Sequence, residues 1–212
     1  MKKALIVWGG WDGHDPEQGA HIIADMLRGD GFEVQIETST KAFLDPDLST
    51  LSLIVPIYTM SKIEKDECAA LVAAVESGVG LGGYHGGMGD AFRDAVDYQF
   101  MVGGQWVAHP GNIIDYRVNV IKDDPIVAGI ADFDYTSEQY YMHTDPSNEV
   151  LATTTFSGEH APWTKGVVMP VVWKRMYGKG RVFYSALGHK ATEFNVPQMK
   201  TILHRGLLWA AR

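Results

Sequence analysis

Residues 79–92 read VGLGGYHGGMGDAF and combine a short apolar segment, a glycine-rich turn and the beginning of a helix. A strand, a tight turn and a helix in this order form the elbow that presents the nucleophile in one large class of enzymes. Such enzymes carry serine or cysteine at the tip of the turn, whereas this chain carries His85. The stretch therefore predicts an α/β fold with a histidine presented at the end of a strand.

Alternating strands and helices are predicted before this turn. Continuous apolar runs of four to eight residues that end at glycine are typical of strands buried on both faces. Two strand–helix–strand units predict right-handed crossovers and a parallel sheet. The expected strands cover Ala4–Trp8, Phe32–Glu37, Leu51–Pro56 and Val79–Gly83, and the expected helices cover Gln18–Arg28 and Lys62–Glu76, with Ser61 as N-cap of the second helix.

The second half of the chain has shorter, alternating segments that predict antiparallel additions to the sheet. Tyr177–Gly180 reads as a hairpin turn. No Gly/Ser-rich or Pro-rich linker interrupts the chain, so residues 1–212 are expected to form a single domain. The expected strands cover Asn112–Lys122, Ser137–His143, Val150–Thr155, Val167–Tyr177 and Gly180–Ala186, and an amphipathic helix covers Pro197–Ala211.

Composition excludes several classes of partner. The net charge is −8 and Lys and Arg form no stripe, which excludes nucleic acid. No segment approaches the roughly 20 apolar residues that cross a bilayer, so no membrane partner is expected. The single cysteine, Cys68, excludes an intramolecular disulfide and lies within a predicted helix. We therefore expect a cytoplasmic protein.

Three histidines follow predicted strands at comparable positions. His14 lies in the loop after the first strand, His85 follows Val79–Gly83, and His189 follows Gly180–Ala186. Because ligands of an open parallel sheet bind at the carboxyl ends of its strands, the three imidazoles are expected to converge. They could shuttle protons, or they could hold Zn²⁺ or a similar divalent metal with one position left open.

Glu138 lies among aromatic residues in the stretch TSEQYYMH, residues 136–143. On a single strand, Glu138, Tyr140 and Met142 would share one face, while Gln139, Tyr141 and His143 would share the other. A carboxylate buried among aromatic rings would have a raised pKa, which makes Glu138 a candidate acid/base; the alternative is that it pairs with a nearby basic group.

Aromatic and polar residues near the predicted loops suit a sugar, because rings can pack on its C–H face while polar groups bind its hydroxyls. The alternative is that the aromatic residues belong to the core. A nucleotide cofactor is not expected, since no Gly-x-Gly-x-x-Gly motif follows the first strand and no P-loop is present. The candidate substrate-binding residues are Trp11, Asp12, Tyr84, Trp106, His109, Tyr140 and His143.

Taken together, these stretches resemble the trehalose-utilisation (ThuA-like) family over nearly the whole chain. The resemblance implies a three-layer, flavodoxin-like fold of the class I glutamine amidotransferase type, and a role in the catabolism of trehalose or a related disaccharide as a keto-sugar derivative. Amidotransferases carry cysteine where this chain has His85, so glutamine hydrolysis is not expected. The segments that carry the resemblance are GYHGG (83–87), HP (109–110), SEQYY (137–141), MPVVW (169–173) and YGKGRVFYSALGH (177–189), followed by Phe194 and Trp209-Ala210.

Two classes of function remain open from the sequence. The first is an enzyme, a hydrolase, lyase or isomerase, acting on a sugar or keto-glycoside. In it His85 and His189 shuttle protons or hold a metal, with His14 as third partner and Glu138 as acid/base. The second is a non-catalytic sugar-binding or interaction module derived from an amidotransferase-like fold. In both, the expected partner is a small carbohydrate, and self-association into a homo-oligomer is left open.

Overall fold

The computed structural model describes all residues, Met1–Arg212, as an α/β fold of eleven strands and five α-helices. The strands are β1 (Lys3–Gly10), β2 (Glu33–Glu37), β3 (Leu53–Thr59), β4 (Gly80–Tyr84), β5 (Gly104–Ala108), β6 (Ile113–Val120), β7 (Phe133–Glu138), β8 (Tyr141–Thr144), β9 (Glu149–Thr155), β10 (Val168–Tyr177) and β11 (Gly180–Ser185). The helices are α1 (Pro16–Gly29), α2 (Lys65–Ser77), α3 (His85–Gly89), α4 (Val96–Val102) and α5 (Pro197–Ala210).

Nine strands form one sheet in the order β2-β1-β3-β4-β11-β10-β9-β6-β7. The first five pair in parallel, and the remaining four are added by antiparallel pairings. Because each of the last four pairings is antiparallel, β10 and β6 run opposite to β1, whereas β9 and β7 run in the same direction as β1. The expected parallel sheet with antiparallel additions in the second half is confirmed, and the order at its start is that of flavodoxin-like folds.

Helices cover both faces of the parallel part of the sheet. On β11, an added Cβ at Gly180 would meet Val75 of α2, whereas the ring of Phe183 packs on Gly206 of α5. Residues 180 and 183 of a strand point to opposite faces, so α2 and α5 lie on opposite sides of the sheet. This arrangement gives the three layers expected from the resemblance.

The buried strands and their helices enclose one hydrophobic cluster of 54 residues. The β1 side chains from Ala4 to Val7 are all buried, as their continuous apolar run predicts. Trp173 is completely buried and its Nε1 donates to the carbonyl of Val102 at 3.0 Å, while Cys68 is buried on α2. Among the five α-helices, none combines the length and the hydropathy that crossing a bilayer requires.

Among the differences between the predicted elements and the structure, two have a clear local cause. Helix α2 begins at Lys65 rather than Lys62, because its N-cap is Glu64, whose backbone N–H donates to Glu67 Oε2 at 3.1 Å, rather than Ser61. The predicted strand Ser137–His143 is divided in two: β7 ends at Glu138, and β8 begins at Tyr141. β8 pairs with β5 in a separate two-stranded sheet. The chain therefore changes direction at residues 139–140, directly after Glu138.

The close packing of α5 on β11 gives a prediction about stability. An added Cβ at Gly206 would lie 2.2–2.3 Å from ring atoms of the buried Phe183, so Gly206→Ala should destabilise the protein by about 1–3 kcal/mol through overpacking. The same change at Gly29, the last residue of α1, meets no atom within 4 Å. Gly29→Ala should be neutral or stabilise by up to about 1 kcal/mol. Urea unfolding of both variants measures the difference, and equal effects would contradict this packing.

Candidate metal centre

The glycine-rich stretch forms the elbow that the sequence predicts. His85 follows β4 directly, begins α3, and has a left-handed backbone conformation with φ of +43°. That conformation is unfavourable for a residue with a Cβ and is characteristic of functional sites. An added Cβ at Gly86 would lie 2.5 Å from the His14 ring, and one at Gly87 would lie 3.0 Å from the Ile57 Cα. The glycines therefore let α3 pass closely over β3 and His14.

Four buried side chains converge at this edge of the sheet, and we call them the His–Glu cluster: His14, His85, Glu138 and His189. One nitrogen or oxygen from each lies within 4.8 Å of all the others. The Glu138 Oε2 atom lies 3.1 Å from His85 Nε2, 3.2 Å from His189 Nδ1 and 3.7 Å from His14 Nε2. The convergence of the three histidines expected from the strand ends is therefore present, and Glu138 joins them from the end of β7.

Hydrogen bonds orient two of the imidazole rings. His85 Nδ1 lies 2.8 Å from the Ala186 carbonyl, which can only accept, so Nδ1 carries the proton and donates it. The lone pair on Nε2 of a neutral His85 then faces Glu138. His14 Nδ1 lies 2.9 Å from the Thr59 hydroxyl, which leaves His14 Nε2 directed at the same carboxylate. Such partners on the far ring nitrogen are typical of histidines that bind metals.

The electrostatics of the cluster leave Glu138 ionised beside a neutral His85. Burial lowers the pKa of His85 to about 4, although the bond with Glu138 opposes this, so the ring is neutral at neutral pH. Burial alone would raise the pKa of Glu138, but interactions with His14, His189 and His85 outweigh it and hold that pKa well below its usual range. The sequence-based expectation of a raised pKa was wrong, because the neighbours of the carboxylate are imidazoles as well as aromatic rings.

These groups fit a divalent metal ion. The lone pair of neutral His85 faces an ionised oxygen at 3.1 Å, and two acceptors at that distance need a cation or a proton between them. His189 Nδ1 is buried and has no hydrogen-bond partner. The separations of 3.1–3.7 Å are close to the roughly 3.4 Å between ligand atoms of a tetrahedral ion with bonds of about 2.1 Å. Imidazole nitrogen and carboxylate oxygen are also ordinary zinc ligands.

Five of the predicted substrate-binding residues lie beside the His–Glu cluster or on its loops. The Tyr140 ring stacks on His85 with centroids 4.1 Å apart, and His109 Nε2 lies 3.7 Å from Glu138 Oε1. The Trp106 ring lies 5.5 Å from His109. Trp11 packs against His14 at 4.7 Å and is 44% exposed, and Asp12 is exposed on the same loop.

Tyr84 and His143 do not reach the cluster, so their expected placement is corrected. Successive side chains of a strand alternate, and Tyr84 therefore points away from the face of His85. Its ring is buried against Phe194, and its hydroxyl lies where a Cβ on Gly19 would be. His143 is exposed on β8 opposite Gln105, because the break at residues 139–140 moves it out of line with Glu138.

Sequence reasoning missed several polar residues around the cluster. Thr59, which orients His14, could have been found, because it ends the strand adjacent to β1. Asp90 and Arg93 form a two-point ion pair at 2.6 and 2.8 Å, and the Arg93 guanidinium lies 4.7 Å from the Trp106 ring. Nothing local in the sequence signals this pair or Glu193, which accepts a hydrogen bond from the backbone of His189.

Comparison with known proteins identifies a family and a fold. The family model described as ThuA, trehalose utilisation, matches residues 3–210. A ThuA-like protein from Bacteroides uniformis has a similar structure, with 22% sequence identity, a TM-score of 0.80, and coverage of 99% of this chain and 91% of that chain. No curated protein matches the chain.

Two further structures share the fold at lower identity. A cytoplasmic protein of Salmonella typhimurium has 15% identity and a TM-score of 0.70, with 99% of this chain and 100% of that chain covered. A β-galactosidase from Bacillus circulans has 15% identity and a TM-score of 0.61. In that comparison 99% of this chain corresponds to 30% of the β-galactosidase chain. The fold therefore occurs both alone and as part of a larger enzyme.

The environment of His85 predicts how stability depends on pH. Because burial lowers the folded-state pKa of His85 to about 4 from 6.5, the unfolded chain binds a proton there first as pH falls. The contribution of neutral His85 to the free energy of unfolding is therefore fully present above about pH 6.5, and it is lost as pH falls toward about 4. Metal-free His85→Asn, which tolerates the left-handed backbone, should lose less stability over this interval than the wild type.

Urea unfolding at several pH values, in the presence of a chelator, measures this difference. Replacement of the exposed His21 on α1 by Asn is the matched control and should leave the pH dependence unchanged. Parallel pH profiles for wild type and His85→Asn would contradict the neutral, buried state of His85.

Proposed function

The chain belongs to the ThuA, or trehalose utilisation, family, and we propose that it is a metal-dependent enzyme of sugar catabolism. In this proposal residues 1–212 act as one domain, and His14, His85, His189 and Glu138 hold a divalent ion such as Zn²⁺. Family membership implies a role in sugar metabolism. The observation that carries the finer proposal is the His–Glu cluster itself, with four buried ligand atoms within 4.8 Å of one another.

The protein would place reactive groups around one oxygen of the substrate. A divalent ion bound at the cluster would polarise a carbonyl oxygen or lower the pKa of a bound water. His109 is the group best placed to move a proton, because its ring is partly exposed and its Nε2 lies 3.7 Å from Glu138 Oε1. Imidazole can give or accept a proton near neutral pH. Tyr140 stacks on His85 and keeps water away from the face of the imidazole ring that it covers.

The substrate we propose is a small carbohydrate, namely trehalose or a related disaccharide in a keto-sugar form. Trp11 offers an exposed ring directly beside His14, and Trp106 lies beside His109. Rings in these positions can pack on the C–H face of a sugar while Asp12 accepts hydrogen bonds from its hydroxyls. The reaction would be hydrolysis, elimination or isomerisation, each of which needs proton transfer near a polarised oxygen. The proposal places the protein in the cytoplasm.

Glutamine hydrolysis does not fit these residues. An amidotransferase of this fold class needs a thiolate at the elbow, and the elbow residue here is His85. The thiol of Cys68 is buried on α2, and burial raises its pKa. Neither group can form the thioester that amide transfer requires.

Elemental analysis of protein purified without chelators tests the metal. We expect about one equivalent of zinc or a similar divalent metal in the wild type and a large loss in His85→Ala, because His85 supplies one of four ligands. His109→Ala is the matched control, since it removes a neighbouring imidazole outside the four ligands and should retain the metal. A wild type without bound metal, after incubation with zinc, manganese or cobalt, would overturn the proposed centre.

Turnover of keto-disaccharides tests the proton carrier. His109→Gln should lower kcat by about 10²–10⁴-fold while the metal content stays unchanged. Trp11→Ala should mainly raise KM, because it removes packing surface beside His14 without removing any of the four ligands. Product analysis by NMR identifies the bond that changes and decides among hydrolysis, elimination and isomerisation. An unchanged kcat in His109→Gln would exclude His109 as the proton carrier.

A non-catalytic module is the second candidate, and one observation favours it. The same fold accounts for 30% of a β-galactosidase chain, so it can serve as part of a larger sugar enzyme. A module would bind carbohydrate or a partner chain without converting any sugar. Sugar binding by calorimetry, with no turnover by the metal-loaded protein, would favour this candidate over the enzyme.

A further inference from the structure

The pairing of strands does not explain how Glu138 reaches the His–Glu cluster. β4 and β11 are neighbours in the sheet, which places His85 beside the residues that follow β11. β1 and β3 are also neighbours, which places His14 beside Thr59. Glu138, by contrast, ends β7, which is separated from β11 by β10, β9 and β6. No backbone ladder therefore sets the distance between Glu138 and His189.

Side-chain hydrogen bonds of Glu193 bridge this gap. The Glu193 carboxylate accepts from the Ser137 hydroxyl at 3.0 and 3.1 Å and from the Tyr135 hydroxyl. It also accepts from the backbone N–H of His189 at 3.1 Å. Ser137 immediately precedes Glu138 on β7. One carboxylate therefore joins the strand that carries Glu138 to the backbone of His189.

His189 depends on this bond more than the other histidines of the cluster do. His85 and His14 are each oriented by a hydrogen bond on the ring nitrogen that faces away from Glu138. The His189 side chain makes no such bond: its Nδ1 lies 3.2 Å from Glu138 Oε2, and its ring meets the edges of the other two imidazoles. Gly188, directly before it, has φ of +103°, a conformation that glycine adopts readily. The direction of the ring therefore depends on the backbone that Glu193 holds as well as on Glu138 itself.

We propose that Glu193 is a positioning residue of the metal centre, which sets the separation of Glu138 and His189 through Ser137, Tyr135 and the His189 backbone. This inference rests on the proposed function, because it assumes that the cluster binds a metal ion. Glu193 itself does not contact the ion. Its three donors would lose a shared acceptor if the carboxylate were removed, and β7 would then be free to move relative to the His189 loop.

Metal affinity and the spectrum of bound Co²⁺ test the inference. Glu193→Gln keeps the shape of the side chain but replaces one acceptor oxygen by a donor nitrogen. We expect its affinity for Zn²⁺, measured by competition with a chromophoric chelator, to fall by about 10–100-fold, the usual effect of losing a group that orients ligands. The visible absorption of bound Co²⁺ should also change in intensity, because the ligand geometry changes.

The controls separate positioning from general stability. Glu33→Gln removes an exposed carboxylate from β2, at the opposite edge of the sheet, and should leave both readouts at wild-type values. Tyr135→Phe removes a single donor and leaves the Glu193 carboxylate in place. This variant tests the positioning role if Glu193→Gln does not fold. It should lower Zn²⁺ affinity by a smaller factor. Chelator-treated samples, compared by circular dichroism, show whether each variant retains the fold.

Each outcome is decisive. A folded Glu193→Gln with lower affinity and an altered Co²⁺ spectrum supports the inference. A wild type that binds metal while folded Glu193→Gln and Tyr135→Phe bind it equally well, with the same spectrum, overturns the inference and leaves the metal centre standing. A wild type that binds no metal overturns the proposed centre, and the positioning role with it.

Discussion

The burial of an ionised Glu138 carboxylate among three imidazoles is the interaction on which the arrangement of this site depends. A buried charge is costly unless it is paired, and interactions with His14, His189 and His85 hold the pKa of Glu138 well below its usual range. Burial keeps His85 neutral, and the Ala186 carbonyl fixes its proton on Nδ1. A cation at the centre would be bound by the carboxylate and by the ring nitrogens that face it. The chemistry of the donor set thus explains why these side chains can face one another.

The elbow supplies the second constraint. A left-handed backbone at a residue such as His85 costs of the order of 1–3 kcal/mol, and only close packing of the surrounding structure can maintain it. Gly86 and Gly87 provide that packing, because they allow α3 to lie directly on β3. In nucleophile enzymes this backbone exposes an attacking atom. Here it turns an imidazole toward the ends of β1 and β11, where it joins the His–Glu cluster.

The sequence predicted the parts of the site that follow from local pattern and strand direction. The carboxyl ends of parallel strands share one edge of the sheet, so the proximity of His14, His85 and His189 could be predicted from the sequence. The pKa of Glu138 and the position of His143 could not, because both depend on the break after β7 and on neighbours from distant strands. The role of Glu193 could not be predicted either, because it accepts hydrogen bonds from Tyr135 and Ser137, which lie more than 50 positions away in the chain.

The cost of this site bears on whether the chain is an enzyme or a scaffold. A domain that served only as a scaffold would be at least as stable with apolar groups of similar volume in place of buried ionisable ones. The chain instead carries a strained elbow, an unpartnered His189 nitrogen and an ionised carboxylate at one place. A ligand that binds only the folded state would offset that cost. It stabilises the folded state by about 4 kcal/mol when the free ligand concentration is 1,000 times its Kd. The geometry and the cost of the cluster are those of a place that could hold a cation.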